Sequence, residues 1–352
     1  MAHIIIREGT YSDNEELVNL TSLTPMKGNI SLRIDRNPDF FRLLELRGPS
    51  FVIVAESDHQ LIGSYSASAV NVFVNGQPET VYYLADFKVH PDYRNLKIAL
   101  RLAKVMLQKL DDLNADLLFC TAAFGNADVM PFFTGRASLP QATKVGMFRV
   151  MQIIPTPIRK RRNKYLITEE PIIPSTVSFL NDFMKNYQLA PVYSESSFEN
   201  NIILTASFNG ALVAAVALFD TASAKQNVVI RLPFVLKAIV AFTNIINTVY
   251  PLLRLPETNK AVRILYIKSF AYKTDHDEAL KLLIAKARNL AFERKYTFLS
   301  IGIHENDPLS KVFARYPKFI FKSMGFLGSL KGNNEKINNI LRGIPFEDYS
   351  LV

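Results

Sequence analysis

The chain has 352 residues, 49% hydrophobic and 21% charged, the balance of a folded globular protein, which excludes overall disorder, collagen-like repeats and low complexity. Its single cysteine excludes an intramolecular disulfide and a cysteine zinc cluster, and fits a reducing, cytoplasmic setting. The formal net charge of +9 favours an anionic partner: nucleic acid, an acidic lipid surface or a phosphorylated cofactor.

At roughly 100–200 residues per domain, this length predicts two domains. Met1–Arg7 is not a signal peptide, because it lacks a basic start and Arg7-Glu8 cuts the apolar run short. His3–Arg7 reads as a strand, and Asp13 or Ser12 caps a helix that runs to Leu23. Phe51–Glu56 and Leu61–Val74 are strands around the polar turn Ser57–Gln60, and Asn75-Gly76 turns into a third β-rich run, Thr80–Val89. Ile98–Leu113 is an amphipathic helix with Leu100, Ala103, Leu107 and Leu110 on one face. Asp116–Ala123 is a strand, Asp128–Phe133 a short helix and Lys144–Ile154 the last strand of the first half.

The second half repeats this order with an offset near 180 residues. Leu166–Thr168 and Thr176–Tyr187 are a strand and a helix. The uncharged stretch Ile202–Phe219 has Asn209-Gly210 in its middle and therefore reads as a hairpin, not a membrane span. Val228–Leu255 is an apolar insertion; its uncharged part, Ala238–Leu253, is too short to span a bilayer. Val262–Tyr272, Glu278–Glu293, Phe298–His304, Pro308–Arg315 and Lys318–Leu327 complete the series. Lys88 and Lys268 occupy the same place in the two halves, as do Asn126 and Asn306. The reading is two similarly folded α/β domains, residues 1–157 and 164–352, joined through Pro155–Asn163. The basic run Arg159–Lys164 is a solvated linker or an anion contact. No zinc-finger spacing or aromatic RNA-binding signature supports nucleic acid, and His3, His59, His90, His276 and His304 show no metal-ligand spacing, so no metal is expected.

The segment that carries chemistry is Tyr82–Lys104, YYLADFKVHPDYRNLKIALRLAK. A buried strand ends at Val89 and a short loop, His90–Lys97, turns directly into a helix, whose first N–H groups and dipole suit phosphate oxygens. Lys88, Arg94, Lys97, Arg101 and Lys104 add positive charge. The succession of strand, Val-x-Pro-x-x-Arg, loop and helix resembles motif A of the GNAT superfamily of acyl-CoA-dependent N-acyltransferases, often Arg/Gln-x-x-Gly-x-Gly/Ala. Here the motif is Arg94-Asn95-Leu96-Lys97-Ile98-Ala99, with Asn95 at a frequent glycine position and Lys97 in place of the central glycine.

The resemblance implies a mixed-sheet α/β fold, here two such domains in tandem with a degenerate second copy. It implies acetyl-CoA as co-substrate, with Arg94–Ala99 holding the pyrophosphate. Backbone amides of Phe87, Lys88 and Val89 would hold the pantetheine and polarise the thioester. Asn126 matches a family asparagine after the fifth strand. The family's tyrosine acid would fall near Phe132-Phe133, where there is no hydroxyl, so Phe133 is taken as a cofactor contact; water, Tyr82, Tyr83 or Tyr93 is left as the proton source. Asp86 is the candidate general base, against the alternative that it pairs with a neighbouring Lys or Arg. Cys120 is expected to be an inert core residue. The loop Tyr272–Glu278 carries three acids and would repel a pyrophosphate, so only the first half is expected to bind coenzyme A. The expected function is acetyl transfer to a small-molecule or peptide amine. The alternatives are a non-catalytic coenzyme-A-binding or regulatory protein, and a lipid-directed acyltransferase at a membrane surface, motivated by the insertion and the basic run Arg159–Lys164.

Overall fold

In the computed structural model the described residues are 4–23, 31–135, 139–157, 163–231 and 256–352. Residues 232–255 of the expected insertion and 159–162 of the basic run lie outside them. The first half contains β1 (Ile4–Glu8), α1 (Asn14–Ser22), β2 (Ser31–Asp35), α2 (Phe41–Arg47), β3 (Ser50–Ser57), β4 (Gln60–Val74), β5 (Gln77–Val89), α3 (Ile98–Asp112), β6 (Leu117–Ala123) and β7 (Thr143–Ile153). The second contains β8 (Leu166–Glu170), α4 (Pro174–Met184), β9 (Ala190–Pro191), β10 (Ile202–Phe208), β11 (Ala211–Asp220), β12 (Gln226–Arg231), β13 (Ala261–Val262), β14 (Ile264–Tyr272), α5 (Asp277–Glu293), β15 (Phe298–His304), β16 (Lys318–Ser329) and α6 (Asn334–Arg342). Elements β2, α2, β9, β12 and α6 have no counterpart in the sequence reading.

Most strands form one continuous mixed sheet in the order β1-β3-β4-β5-β6-β16-β7-β15-β14-β11-β10-β8. The two halves exchange their last strands: β16 pairs with β6, and β7 pairs with β15. The chain repeat is therefore real, but its halves are interleaved in space. A second, three-stranded sheet crosses between the halves again, β2 pairing with β12. The uncharged stretch at Ile202–Phe219 is a β10–β11 hairpin, with Asn209 and Gly210 both at positive φ, the geometry a two-residue turn demands. No helix of the described residues is long and apolar enough to cross a membrane.

Helix α3 buries Ile98, Leu102, Ala103, Met106 and Leu110. This is the i, i+4 ridge that begins at Ile98, rotated from the expected face; Leu100 and Leu107 lie on its half-buried flank. The ridge packs closely on β4 because Gly63 offers no side chain: a Cβ there would lie 2.8 Å from Leu102 Cδ1 and 3.2 Å from Ile98 Cγ2. Gly63→Ala is therefore expected to destabilise the protein by about 1–3 kcal/mol through overpacking. It would also move the start of α3, read as a lower denaturant midpoint together with weaker binding of any ligand at that helix end.

Candidate active site

The two parallel strand pairs of the sheet, β5–β6 and β14–β15, are short. Between β5 and β6 only Tyr82–Leu118 and Tyr83–Phe119 are in register, and beyond them the strands part. On its other edge β6 is held by β16 along its full length, from Leu117 to Ala123. The parting strands leave a gap beside free backbone groups of β5, with a cavity on each side of the sheet. Phe119 lines both cavities.

The α3 side holds the smaller cavity, about 60 Å³, lined by Tyr65, Leu84, Leu107, Cys120, Phe132 and Phe133. Phe133 stacks on Phe326 at 4.0 Å between ring centres, and Phe132 meets Phe87 edge-on. Burial pushes the Cys120 thiol up to about 12, so it is neither thiolate nor nucleophile at neutral pH. Asn126 lies past the end of β6, exposed, and its side-chain oxygen accepts from the Asp128 N–H.

The loop after β5 is a 3-10 turn, Pro91–Leu96, capped by His90 Nδ1, which accepts from the Asp92 N–H. It contains Arg94, Asn95 and Leu96 of the motif. Lys97 follows with φ 55° and ψ 21° and caps α3. The lysine thus adopts the left-handed geometry of the glycine it replaces, at a cost of roughly 1 kcal/mol. Among the described residues no side chain caps the first N–H groups of α3, which begin at Ile98 and Ala99. Arg94 and Lys97 are exposed and share no ion pair among the described residues. This donor set fits a diphosphate.

Asp86 has a different setting from the one expected of a base. It sits at a bulge in β5, at φ 51°, where the register with β4 shifts between Ser64 and Ser66. Arg36 Nη2 donates to both of its oxygens at 2.7 and 2.9 Å, and Ser66 Oγ donates at 3.0 Å. The two side chains of this ion pair are 3% and 7% exposed. Burial raises the Asp86 pKa, but Arg36, Arg47, Lys88 and Ser66 together hold it below the ordinary carboxylate value. The alternative foreseen for it, a structural ion pair, is the observed one, with Arg36 from the unforeseen segment after β2 as partner. Lys88 shares its side of β5, while Phe87 and Val89 pack toward α3.

The far side of the sheet holds the larger cavity, about 250 Å³, enclosed by both halves. Its ionisable wall is Arg47, Tyr83, Tyr193, Lys268, Glu347 and Asp348. Of these the sequence reading named only Tyr83 and Lys268. Burial lowers the Lys268 pKa, and its Nζ donates to the Ser197 carbonyl at 2.7 Å. The segment after α6 forms one side. It is tied down by Phe346 N–H to Gln188 O at 2.8 Å, Arg47 Nε to Leu351 O at 2.5 Å and Lys225 Nζ to Tyr349 O at 3.1 Å. Gly302 on β15 leaves room for the Tyr349 ring, which a Cβ would meet at 1.9 Å. Burial and the neighbouring Asp348 raise Glu347 to about 8, against the pull of Arg47 and Lys225. Burial, with Arg36 and Arg47, lowers Lys225 to about 7. Tyr83 donates to or accepts from Thr121 Oγ1 at 3.1 Å and stays protonated, its pKa raised by burial.

In the second copy, β14 and β15 also part after Tyr266–Ser300, but the following turn, Pro308–Phe313, buries Leu309 and Phe313 in the core. Its loop leads to Asp277, which pairs with Lys281.

Residues 17–136 match the acetyltransferase (GNAT) family. No curated protein matches the sequence. Among solved structures the chain is similar to Saccharomyces cerevisiae N-myristoyltransferase with bound myristoyl-CoA, at 12% identity and TM-score 0.62 over 97% of this chain and 84% of that one. It is also similar to a GCN5-related N-acetyltransferase from Anabaena variabilis, at 8% identity and TM-score 0.53 over 92% and 72%. At these identities the likeness is one of fold.

Removing one partner of a buried ion pair strands the other. Asp86→Asn is expected to cost about 3–5 kcal/mol. Adding Arg36→Met to it should recover part of that loss, which guanidinium denaturation of the two variants checks. The chain thus has a tandem GNAT fold, and its residues 17–136 match the acetyltransferase (GNAT) family.

Proposed function

We propose that the protein is an acyl-CoA-dependent N-acyltransferase that moves an acetyl group from acetyl-CoA to a primary amine by direct attack. The observation that carries this reading is the parting of β5 and β6 beside an unpaired basic loop, with an ionisable cavity on the opposite face. Arg94, Lys97 and the first N–H groups of α3 hold the pyrophosphate. The exposed edge of β5, through Phe87–Val89, pairs with the pantetheine amides in the manner of an added strand. The small cavity takes the acyl group: 60 Å³ is a handful of water-sized spheres at ~10–15 Å³ each, which suits two carbons and not fourteen.

The amine enters from the larger cavity and must arrive neutral. Glu347 takes its proton, a role suited to a carboxylate whose affinity for a proton lies near that of the amine. The amine nitrogen bonds to the thioester carbon, the carbon–sulfur bond breaks, and the thiolate is protonated by Tyr83 or by water. Of the three tyrosines considered from sequence, Tyr83 lines this cavity; Tyr82 packs toward α3 and Tyr93 against His90. Phe132 and Phe133, standing where the family places a hydroxyl, favour a second reading, a coenzyme-A-binding protein without turnover. Thiol release from acetyl-CoA in the presence of amines separates the two. The membrane reading rested on residues outside the described ones.

Arg94→Glu reverses an exposed charge and touches no core contact. It should weaken acetyl-CoA binding at least ~10-fold, about 1.4 kcal/mol or more, with an unchanged melting temperature; equal affinity in calorimetric titration removes the loop from the site. For catalysis, kcat/KM should rise with pH through about 8 as Glu347 ionises, because only the carboxylate accepts a proton. Glu347→Gln should lower turnover by ~10²–10⁴ and flatten that limb of the pH profile.

A further inference from the structure

We propose that the acceptor is a free α-amino acid with an apolar side chain, its carboxylate held by Arg47 and its amine presented to Glu347. The inference rests on the acyltransfer reading above and names the substrate of the same site.

Arg47 is the last residue of α2 and faces the larger cavity. Its guanidinium lies over the Tyr83 ring at 4.8 Å, and Nε donates to the Leu351 carbonyl. Its Nη1 is buried with no hydrogen-bond partner among the described residues. A buried cationic N–H left without an acceptor is costly, and a planar carboxylate is the ligand that arginine binds best. Glu347 stands in the same wall and feels the Arg47 charge, yet the two form no ion pair among the described residues. Of the other charges of the cavity, Lys268 donates to Ser197, and Asp348 Oδ1 accepts from the Ser350 N–H and hydroxyl, while Asp348 Oδ2 is buried with no partner among the described residues.

An acidic and a basic group that are neighbours without neutralising each other suit a ligand carrying both charges on one carbon, as an α-amino acid does. A simple amine would leave Arg47 unmatched, and a peptide amino terminus brings no carboxylate to its first α-carbon. The rest of the wall is apolar, including Leu46, Val70, Val72, Val81, Leu189 and Val192. The volume of about 250 Å³ lies below the ~300–1,000 Å³ of sites for drug-sized ligands, which suits one residue. In the reaction the amino nitrogen bonds to the acetyl carbon, the carbon–sulfur bond breaks, and the amine proton passes to Glu347. The thiolate takes a proton from Tyr83 or water, giving an N-acetyl amino acid and free coenzyme A.

The test is calorimetric titration of the full chain with leucine, leucinamide and 3-methylbutylamine, and with valine and phenylalanine for side-chain preference. Leucine should bind at least ~10-fold more tightly than the amide or the amine. Arg47→Gln should level the three, and Arg47→Lys, which keeps a charge, should restore part of the preference if the first variant is poorly folded. Leucinamide binding as tightly as leucine, or no binding by any of the three amino acids at millimolar concentration, overturns the proposal. Thiol release from acetyl-CoA separates the two readings. Leucine binding without release keeps the amino-acid site and sinks acyl transfer, whereas release with leucinamide but not leucine sinks the amino-acid proposal alone.

Discussion

The site depends on the exchange of the final strands. A parallel pair that separates after two residues would leave β6 with one edge bare and little to keep it extended. The antiparallel pairing with β16, seven residues long, supplies the missing ladder from the other half of the chain. The gap beside β5 can therefore stay open without β6 collapsing into it. The same device works in mirror image at β15, held by β7. The two repeats are thus mutually dependent: each lends the other the strand that permits its own opening.

Two equivalent openings do not have equivalent chemistry. In the first copy the loop presents Arg94 and Lys97, and Phe133 lines a cavity. In the second the loop presents Asp275, Asp277 and Glu278, and Phe313 is buried. A dianionic diphosphate is attracted to one and repelled by the other. The second copy instead gives Lys268, Tyr193 and the segment after α6 to the larger cavity. Division of labour between the copies follows from the side chains on a shared frame.

Much of this frame was legible in the sequence, because long alternating runs and a strong helical period survive any tertiary context. The Asn-Gly turns, the β10–β11 hairpin and α3 were of this kind. What was not legible has a physical reason. Helix α2 is only two turns long, and its signal is Phe40, Leu43, Leu44 and Arg47, too few residues to set a period. The stripe on α3 was misplaced by a fraction of a turn because Leu100 and Leu107 look as apolar as Leu102 and Met106. An ion pair could be foreseen for Asp86, but its partner Arg36 lies 50 residues earlier, in a segment with no pattern of its own. Glu347 and Asp348 sit in a short irregular tail, where local sequence carries no sign of burial; only the pairing of that tail with Gln188, Arg47 and Lys225 turns two surface-type residues into the wall of a cavity.

The strand exchange also sets the order in which the molecule can be assembled. Strand β6 and its partner β16 are separated by about 200 residues of chain, and contacts of such long range form late because the intervening loop must first be closed. As the chain grows from its amino terminus, β6 waits with an apolar face and an unpaired edge until the last strand has emerged. That interval, and not the finished fold, is when edge-to-edge association threatens.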